Sequence, residues 1–339
     1  MQAADALRRI AFLLERDGAE TYKVRAFRRA AAAVDQLDAA ELEQLASSGG
    51  LKRLEGVGDT TGRVIAEAVA GKVPSYLAEL EASEPVALSP QALTIRASLK
   101  GDCHSHSDWS DGGSPILEMA ETAVAIGHDY LALTDHSPRL TVARGLSAER
   151  LRDQLEVVAA VNEQLAPFRL LTGIEVDILE DGALDQDDGL LSELDLVVAS
   201  VHSKLKMEAP EMTRRMVKAI ESPHCDILGH CTGRLIKGKG REPSRFDPEA
   251  VFAACARTGT AVEINSRPER QDPPDDLLRL AVGLGCHVSI DTDAHAPGQL
   301  EWLGIGCEKA VQAGVDAASI VNSWPLDRLL EWAGRHGSP

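Results

Sequence analysis

Apolar residues recur at helical spacing through the first third of the chain and at strand length through the rest. Ala6, Ile10, Leu13 and Leu14 mark one face of an amphipathic helix over residues 3–17. Residues 22–34 repeat the pattern, with Arg25, Arg28 and Arg29 on a basic face, and residues 41–45 give a third short helix before Ser47-Ser48-Gly49-Gly50 breaks it. Periodicity then lapses between Glu81 and Lys100, where Glu84-Pro85 and Ser89-Pro90 read as a boundary. Beyond it, strand-length apolar runs begin near 130, 170, 194, 226, 261 and 287. Helical stretches separate them, among them 114–126, 148–164, 211–220, 248–257 and 275–283. Such alternation predicts a parallel sheet. Seven units in succession, counting the run that ends at His104, favour closure into an α/β barrel. The reading is therefore a helical domain over 1–82, a linker over 83–100 and a barrel over 101–339.

Charge separates the two parts. The 339 residues carry a net charge of −18. Residues 1–100 hold 13 basic and 14 acidic residues, net −1; residues 101–339 hold 22 and 39, net −17. A nucleic-acid binder driven by bulk charge would be basic, whereas acids balanced by bound cations would look like the second part. At 44% hydrophobic residues the chain can fill a core. No apolar run reaches membrane-span length and no signal-peptide pattern opens the sequence, so the expectation is a cytoplasmic protein. The six cysteines form no CxxC pair and read as reduced, mostly buried thiols.

The chemistry lies where the strand-length runs end. The first ends in His104 and His106, two apart on one face of an extended strand, with Asp111 beyond a Ser/Asp/Gly turn. The next end in Asp135-His136, Glu175, His202, His230 and Glu263-Ile-Asn265-Ser-Arg267; the last ends in Asp293 and His295. In a barrel these ends meet at one rim, where active sites are built. Six of the ten histidines sit there. The other four serve as a control: His128, His224 and His287 precede or begin strands, and His336 lies in the tail, so these are read as structural. Imidazoles mixed with a few carboxylates suit zinc, manganese or iron. Nine donors are too many for one ion and suffice for two or three that share a carboxylate, for which Glu175 is the choice. Such a centre clamps a phosphate and lowers the pKa of a bridging water. Cys103 and Cys231 adjoin the donors but sit in no nucleophile elbow. Arg234 and Arg267 on the same rim are expected to bind substrate phosphate, since the planar guanidinium matches phosphate oxygens. The alternative is an ion pair with Glu242 or Glu269.

In the first region, Leu54-Glu-Gly56-Val57-Gly58, followed by Gly62, forms a hairpin between helices. It resembles the helix-hairpin-helix, a sequence-independent binder of the DNA backbone. Gly56 and Gly58 are expected to expose backbone N–H groups to phosphate, with Lys52, Arg53 and Arg63 beside them. A hairpin that merely packs is the rival reading.

Taken together, His104/His106, Asp135/His136, Glu175, His202, His230 and Asp293/His295 resemble the motifs of the PHP (polymerase and histidinol phosphatase) family over about residues 100–335. The resemblance implies a distorted seven-stranded barrel with a trinuclear metal centre that hydrolyses phosphoesters. Asp135, Arg234 and Arg267 are the residues taken as catalytic. The runs at 229–234, 263–268 and 324–326 are similar to the PHP domain of bacterial X-family DNA polymerases, as is the helical start of the chain. The polymerase portion that separates these parts in that family has no counterpart here. Three functions remain open: a metal-dependent 3′–5′ exonuclease or 3′-phosphatase on DNA ends, a small-molecule phosphatase of histidinol-phosphatase type, and a non-catalytic DNA-end adaptor.

Overall fold

The computed structural model describes residues 1–83 and 87–334. It divides into two compact units, Met1–Ala87 and Leu88–Pro339. Among the described residues no helix is long and apolar enough to cross a membrane.

Among its described residues the elements of the first unit are helices: α1 (Ala3–Arg16), α2 (Thr21–Asp35), α3 (Ala39–Ser47), α4 (Asp59–Val69) and α5 (Ser75–Glu81). The apolar stripe predicted for α1 is buried, with Ala6, Leu7, Ile10 and Leu13 sharing one core with Phe27, Val57, Ile65 and Leu77. Asp38 and Glu41 close a capping box on α3. The glycine hairpin enters α4. Gly56 has φ +86°, which an L side chain rarely adopts, and a Cβ there would lie 3.1 Å from Arg29 Cβ on α2. Gly56 is thus required by the turn and by its packing on α2.

The second unit is a parallel barrel. Its elements in order are α6 (Pro90–Ser98), β1 (Gly101–Ser105), α7 (Ile116–Ala125), β2 (Tyr130–Leu133), α8 (Ala148–Leu165), β3 (Arg169–Asp177), α9 (Asp188–Leu191), β4 (Leu196–Ser200), α10 (Ala209–Ile220), β5 (Ile227–Leu228), α11 (Pro248–Thr258), β6 (Ala261–Asn265), α12 (Asp275–Gly283), β7 (Val288–Asp291), α13 (Leu303–Ala313) and α14 (Leu326–Gly334). The strands lie in chain order, each pairing in parallel with the next. β1, β4, β6 and β7 are buried along their whole length, as strands covered on both faces must be. Past the end of β7, a bridge between Ser105 and Ala294 and the His106 N–H donated to Ala294 O (2.8 Å) bring the last strand back to the first. The result is a nearly closed barrel whose strand ends share one rim.

The stretch 83–100 expected as a linker is corrected in part. Glu84 and Pro85 lie outside the described residues, but Pro90–Ser98 is a helix. Ser89 Oγ accepts the Ala92 N–H at 3.2 Å, and Ala92 and Leu99 are buried with Leu278, Val288, Leu303 and Cys307. Ser89-Pro90, read as a break, is an N-cap followed by a first-turn proline.

Candidate metal centre

Glu175, fully buried at the C-terminal half of β3, is the hub. Its Oε2 lies 3.3 Å from His104 Nε2, 3.5 Å from His106 Nε2 and 2.9 Å from His136 Nδ1; its Oε1 lies 3.2 Å from His202 Nε2 and 2.8 Å from His230 Nε2. Asp111 forms a second focus, with Oδ1 3.4 Å from His136 Nε2 and 3.3 Å from His295 Nε2. Asp293 Oδ1 is 3.4 Å from His106 Nε2. Among the described residues, donor atoms come within 4.8 Å of one another in three groups: His106, Asp111, His136 and His295; His104, His106 and Glu175; and His136, Glu175 and His202. All nine residues expected as ligands are thus gathered at one rim.

The donor chemistry fits divalent cations. His104 Nε2, both ring nitrogens of His106, His136 Nδ1, both ring nitrogens of His202 and Glu175 Oε2 are buried without a hydrogen-bond partner. So many orphaned polar atoms facing one point would be costly in a packed interior. Electrostatics without ions shows the same frustration. Burial and the neighbouring His295 and His136 push His106 down to about 3. Burial opposes charge on His202, yet Glu175 and Asp177 raise it to about 9. Burial likewise opposes ionisation of Glu175, but the surrounding imidazoles hold its carboxyl well below the usual range.

Three supporting residues have no role assigned from the sequence, although Glu263 is placed there at a strand end. Glu263 on β6 places Oε1 2.6 Å from His104 Nδ1, and its other oxygen accepts the His230 N–H. Asp177 accepts the His202 N–H at 3.0 Å and lies 3.5 Å from its Nδ1. Arg270 Nε donates to Asp293 Oδ2 at 3.1 Å. An acid in the middle of the apolar run Ala261-Val-Glu263-Ile was a readable signal. Nothing in the sequence singled out Arg270.

The expected catalytic residues divide. Arg267 reaches the cluster, with Nη1 3.1 Å from His295 Nδ1 and 3.6 Å from Asp293 Oδ1. Its Nε also lies 3.6 Å from Glu269, the alternative partner. The guanidinium of Arg234 is used on the backbone, donating to the carbonyls of Arg270 (3.0 Å) and Gln271. It props the loop that carries Arg267 and Arg270. Asp135 accepts from the Ser107 N–H (2.8 Å), Ser107 Oγ (2.5 Å), Ser110 Oγ and Gln154 Nε2 (2.7 Å). Its carboxylate is therefore committed to the turn that delivers Asp111. Of the control histidines, His128 is buried at the start of β2 and His287 packs edge-on against Trp324. His224 precedes β5, and His336 lies outside the described residues. All six cysteines are free and buried.

At the hairpin, one expectation needs correction. The Gly58 N–H donates to Thr61 Oγ1 at 2.9 Å and is not free for phosphate. Lys52 pairs with Asp59, both exposed. A Cβ at Gly58 would meet nothing within 4 Å, so the turn surface there is open.

Residues 1–73 match the family model described as a helix-hairpin-helix domain, and residues 102–267 the one described as a PHP domain. The sequence is 40% identical over 229 residues to the DNA polymerase/3′-5′ exonuclease PolX of Bacillus subtilis; the match covers 67% of this chain and 40% of that protein. The chain thus spans less than half the length of that relative. It is 29% identical over 251 residues to a probable phosphatase of Syntrophotalea carbinolica, covering 71% of this chain and 98% of the other. A crystal structure of histidinol phosphate phosphatase from Lactococcus lactis, complexed with zinc, L-histidinol and phosphate, superposes with a TM-score of 0.43 at 18% identity. It covers 63% of this chain and 92% of that one.

Proposed function

The chain carries a helix-hairpin-helix domain and a PHP domain, the make-up of a phosphoester hydrolase, and we propose that its substrates are DNA ends, from which it removes 3′ nucleotides or a 3′ phosphate. The observation that carries this reading is the pairing, in one chain, of the hairpin module with the cluster centred on Glu175. The likeness to a relative named as a 3′-5′ exonuclease supports it.

Two or three divalent ions, manganese, zinc or iron, would be held by His104, His106, Asp111, His136, Glu175, His202, His230, Asp293 and His295. When bound, such ions polarise a phosphoryl oxygen and make a water acidic enough to attack phosphorus near neutral pH. The chain's own groups do the rest. Glu175 offers two oxygens to flanking histidines, and Glu263 and Asp177 orient His104 and His202. Arg267 projects a guanidinium beside the cluster, where it binds a substrate phosphate oxygen. Asp135 and Arg234 act by positioning the loops of Asp111 and Arg267.

A second reading, a small-molecule phosphatase, draws on the net −17 of residues 101–339, which opposes a polyanion, and on the relative named probable phosphatase. The two readings separate in one parallel assay of the manganese-loaded protein. Substrates are 3′-labelled single-stranded and gapped DNA, 3′-phosphorylated DNA and histidinol phosphate. Turnover of histidinol phosphate with none of DNA would overturn the first reading.

A further inference from the structure

One segment of the acidic barrel runs against the net charge of residues 101–339. Residues 234–245, after β5, hold five basic residues, Arg234, Lys237, Lys239, Arg241 and Arg245, against one acid, Glu242. The segment is net +4, so the remainder of residues 101–339 carries −17 − 4 = −21. It is a built element. Leu235 and Arg241 pair antiparallel, exchanging N–H···O bonds of 3.0 and 2.8 Å. Gly238 and Gly240, at φ +68° and +67°, turn the chain between them.

This small hairpin is rooted at the candidate metal centre. The Gly233 N–H donates to His230 O at 2.8 Å, and Arg241 Nε to Gly233 O at 2.6 Å. The Ile236 N–H donates to Glu269 O at 2.7 Å, within the loop that carries Arg267 and Arg270. The base is thus fixed to two of the loops that reach the cluster. The tip is not: Lys237 and Lys239 are exposed, and among the described residues neither makes an ion pair.

We propose that the Lys237–Arg241 hairpin is a contact surface for the sugar-phosphate backbone of a single-stranded nucleic-acid end whose terminus lies at the metal centre. The inference rests on the reading of the protein as a nuclease or phosphatase of DNA ends, and it deepens that reading. The tip stands two to three residues beyond the base pair, about 7–10 Å at strand rise. A small phosphoester seated among the histidines does not extend so far, whereas a chain of phosphates does. Lysines on a glycine turn carry point charges without a base-reading geometry, as suits sequence-independent backbone contact. They also supply local attraction where the bulk charge repels.

The test uses the full-length, metal-loaded protein with Lys237→Ala plus Lys239→Ala, and with Lys237→Arg plus Lys239→Arg. Metal content and melting temperature verify that each variant is folded. With a labelled single-stranded oligonucleotide and p-nitrophenyl phosphate as probes, the alanine pair should lower kcat/KM on the oligonucleotide roughly tenfold relative to the small ester. Two lost contacts should flatten the slope of log(kcat/KM) against log salt by about 1.4. The arginine pair should restore both. Oligonucleotide turnover with unchanged KM and salt slope in the alanine pair overturns the hairpin proposal and leaves the DNA-end reading standing. A wild-type protein that turns over the small ester but neither binds nor cuts the oligonucleotide overturns both.

Discussion

His104 Nδ1 and Glu263 Oε1 lie 2.6 Å apart, joining the first strand to the sixth inside a fully buried site. A proton held on Nδ1 by this carboxylate would leave the neutral imidazole's Nε2 to be offered as a lone pair to an ion, and that atom has no hydrogen-bond partner. A carboxylate behind a histidine fixes the tautomer and raises its basicity as a ligand. Glu263→Gln should therefore lower metal affinity about 10–100-fold while leaving the ligand set intact. Competition titration against a chromogenic chelator reads this. Affinity equal to that of the native protein would mean that Glu263 only fills space.

Alanine at His104 and His106 together removes two donors from the group with Glu175 and one from the group with Asp111. At least one bound ion should be lost, and elemental analysis would count it. Asp111→Asn touches only the outer group, where the side chain is 37% exposed. It should cost metal with little loss of fold. Unchanged stoichiometry in the double variant would remove His104 and His106 from the ligand set.

The rim was legible because strand ends and histidines coincide along the chain: once β1 to β7 are placed, His104, Glu175 and Asp293 must converge. What the sequence did not reveal is how buried charges are supported. Asp135 sits beside His136 and reads as catalytic, yet four donors from Ser107, Ser110 and Gln154 claim it. That commitment is set by side chains 19 to 28 positions away, and no local pattern encodes it. The same holds for Arg234, whose fork is spent on the carbonyls of Arg270 and Gln271. Ser89-Pro90 is the reverse case: the helix signal is local, an N-cap serine followed by a first-turn proline, but the same dipeptide also marks chain breaks.

Arg215 on α10 is buried, and it donates to the carbonyls of Ile178 (3.0 Å from Nε) and Ser203 (2.9 Å from Nη1), one residue past Asp177 and His202 respectively. Arg215→Met leaves both acceptors unsatisfied. It should destabilise the barrel by about 1–3 kcal/mol per orphaned group and loosen the ion held by His202. Thermal melting with and without added metal reads both effects. A smaller melting loss in the metal-loaded state would show that the ion helps to hold the same loops.

Without metal, His202 is raised to about 9 because Glu175 and Asp177 outweigh the opposing effect of burial. An unfolded histidine titrates near ~6.5. The folded value lies above the unfolded one, so this group's stabilisation is fully present below about 6.5 and is lost as pH rises through about 9. Metal-free protein should accordingly lose melting temperature across that window. Ions require the neutral imidazole, so the stabilisation gained on adding metal should grow over the same range. Scanning calorimetry in chelator and in excess metal measures both. A metal-free melting temperature that stays flat between pH 6.5 and 9 would rule out a charged His202.

The helical module offers a test that keeps the chain whole. Gly56 cannot be used, since its φ of +86° and the Arg29 Cβ at 3.1 Å would turn any side chain there into a folding defect. Gly58 is different: its φ of −102° and ψ of −168° suit a β-branched residue, and a Cβ meets nothing within 4 Å. The bond from its N–H to Thr61 Oγ1 survives substitution because it is made by the backbone. Gly58→Val should therefore leave the melting temperature and hydrolysis of p-nitrophenyl phosphate near their native values. If the hairpin anchors DNA, the new side chain stands between the turn and a phosphate, and turnover of DNA should fall. The activity that remains should weaken further as salt rises, because phosphate contacts release counterions. Removing Met1–Ala87, the whole first unit, should depress DNA turnover at least as far. DNA degradation by both variants at the native rate in moderate salt would show that the hairpin only packs, and the small-molecule reading would then be the stronger one.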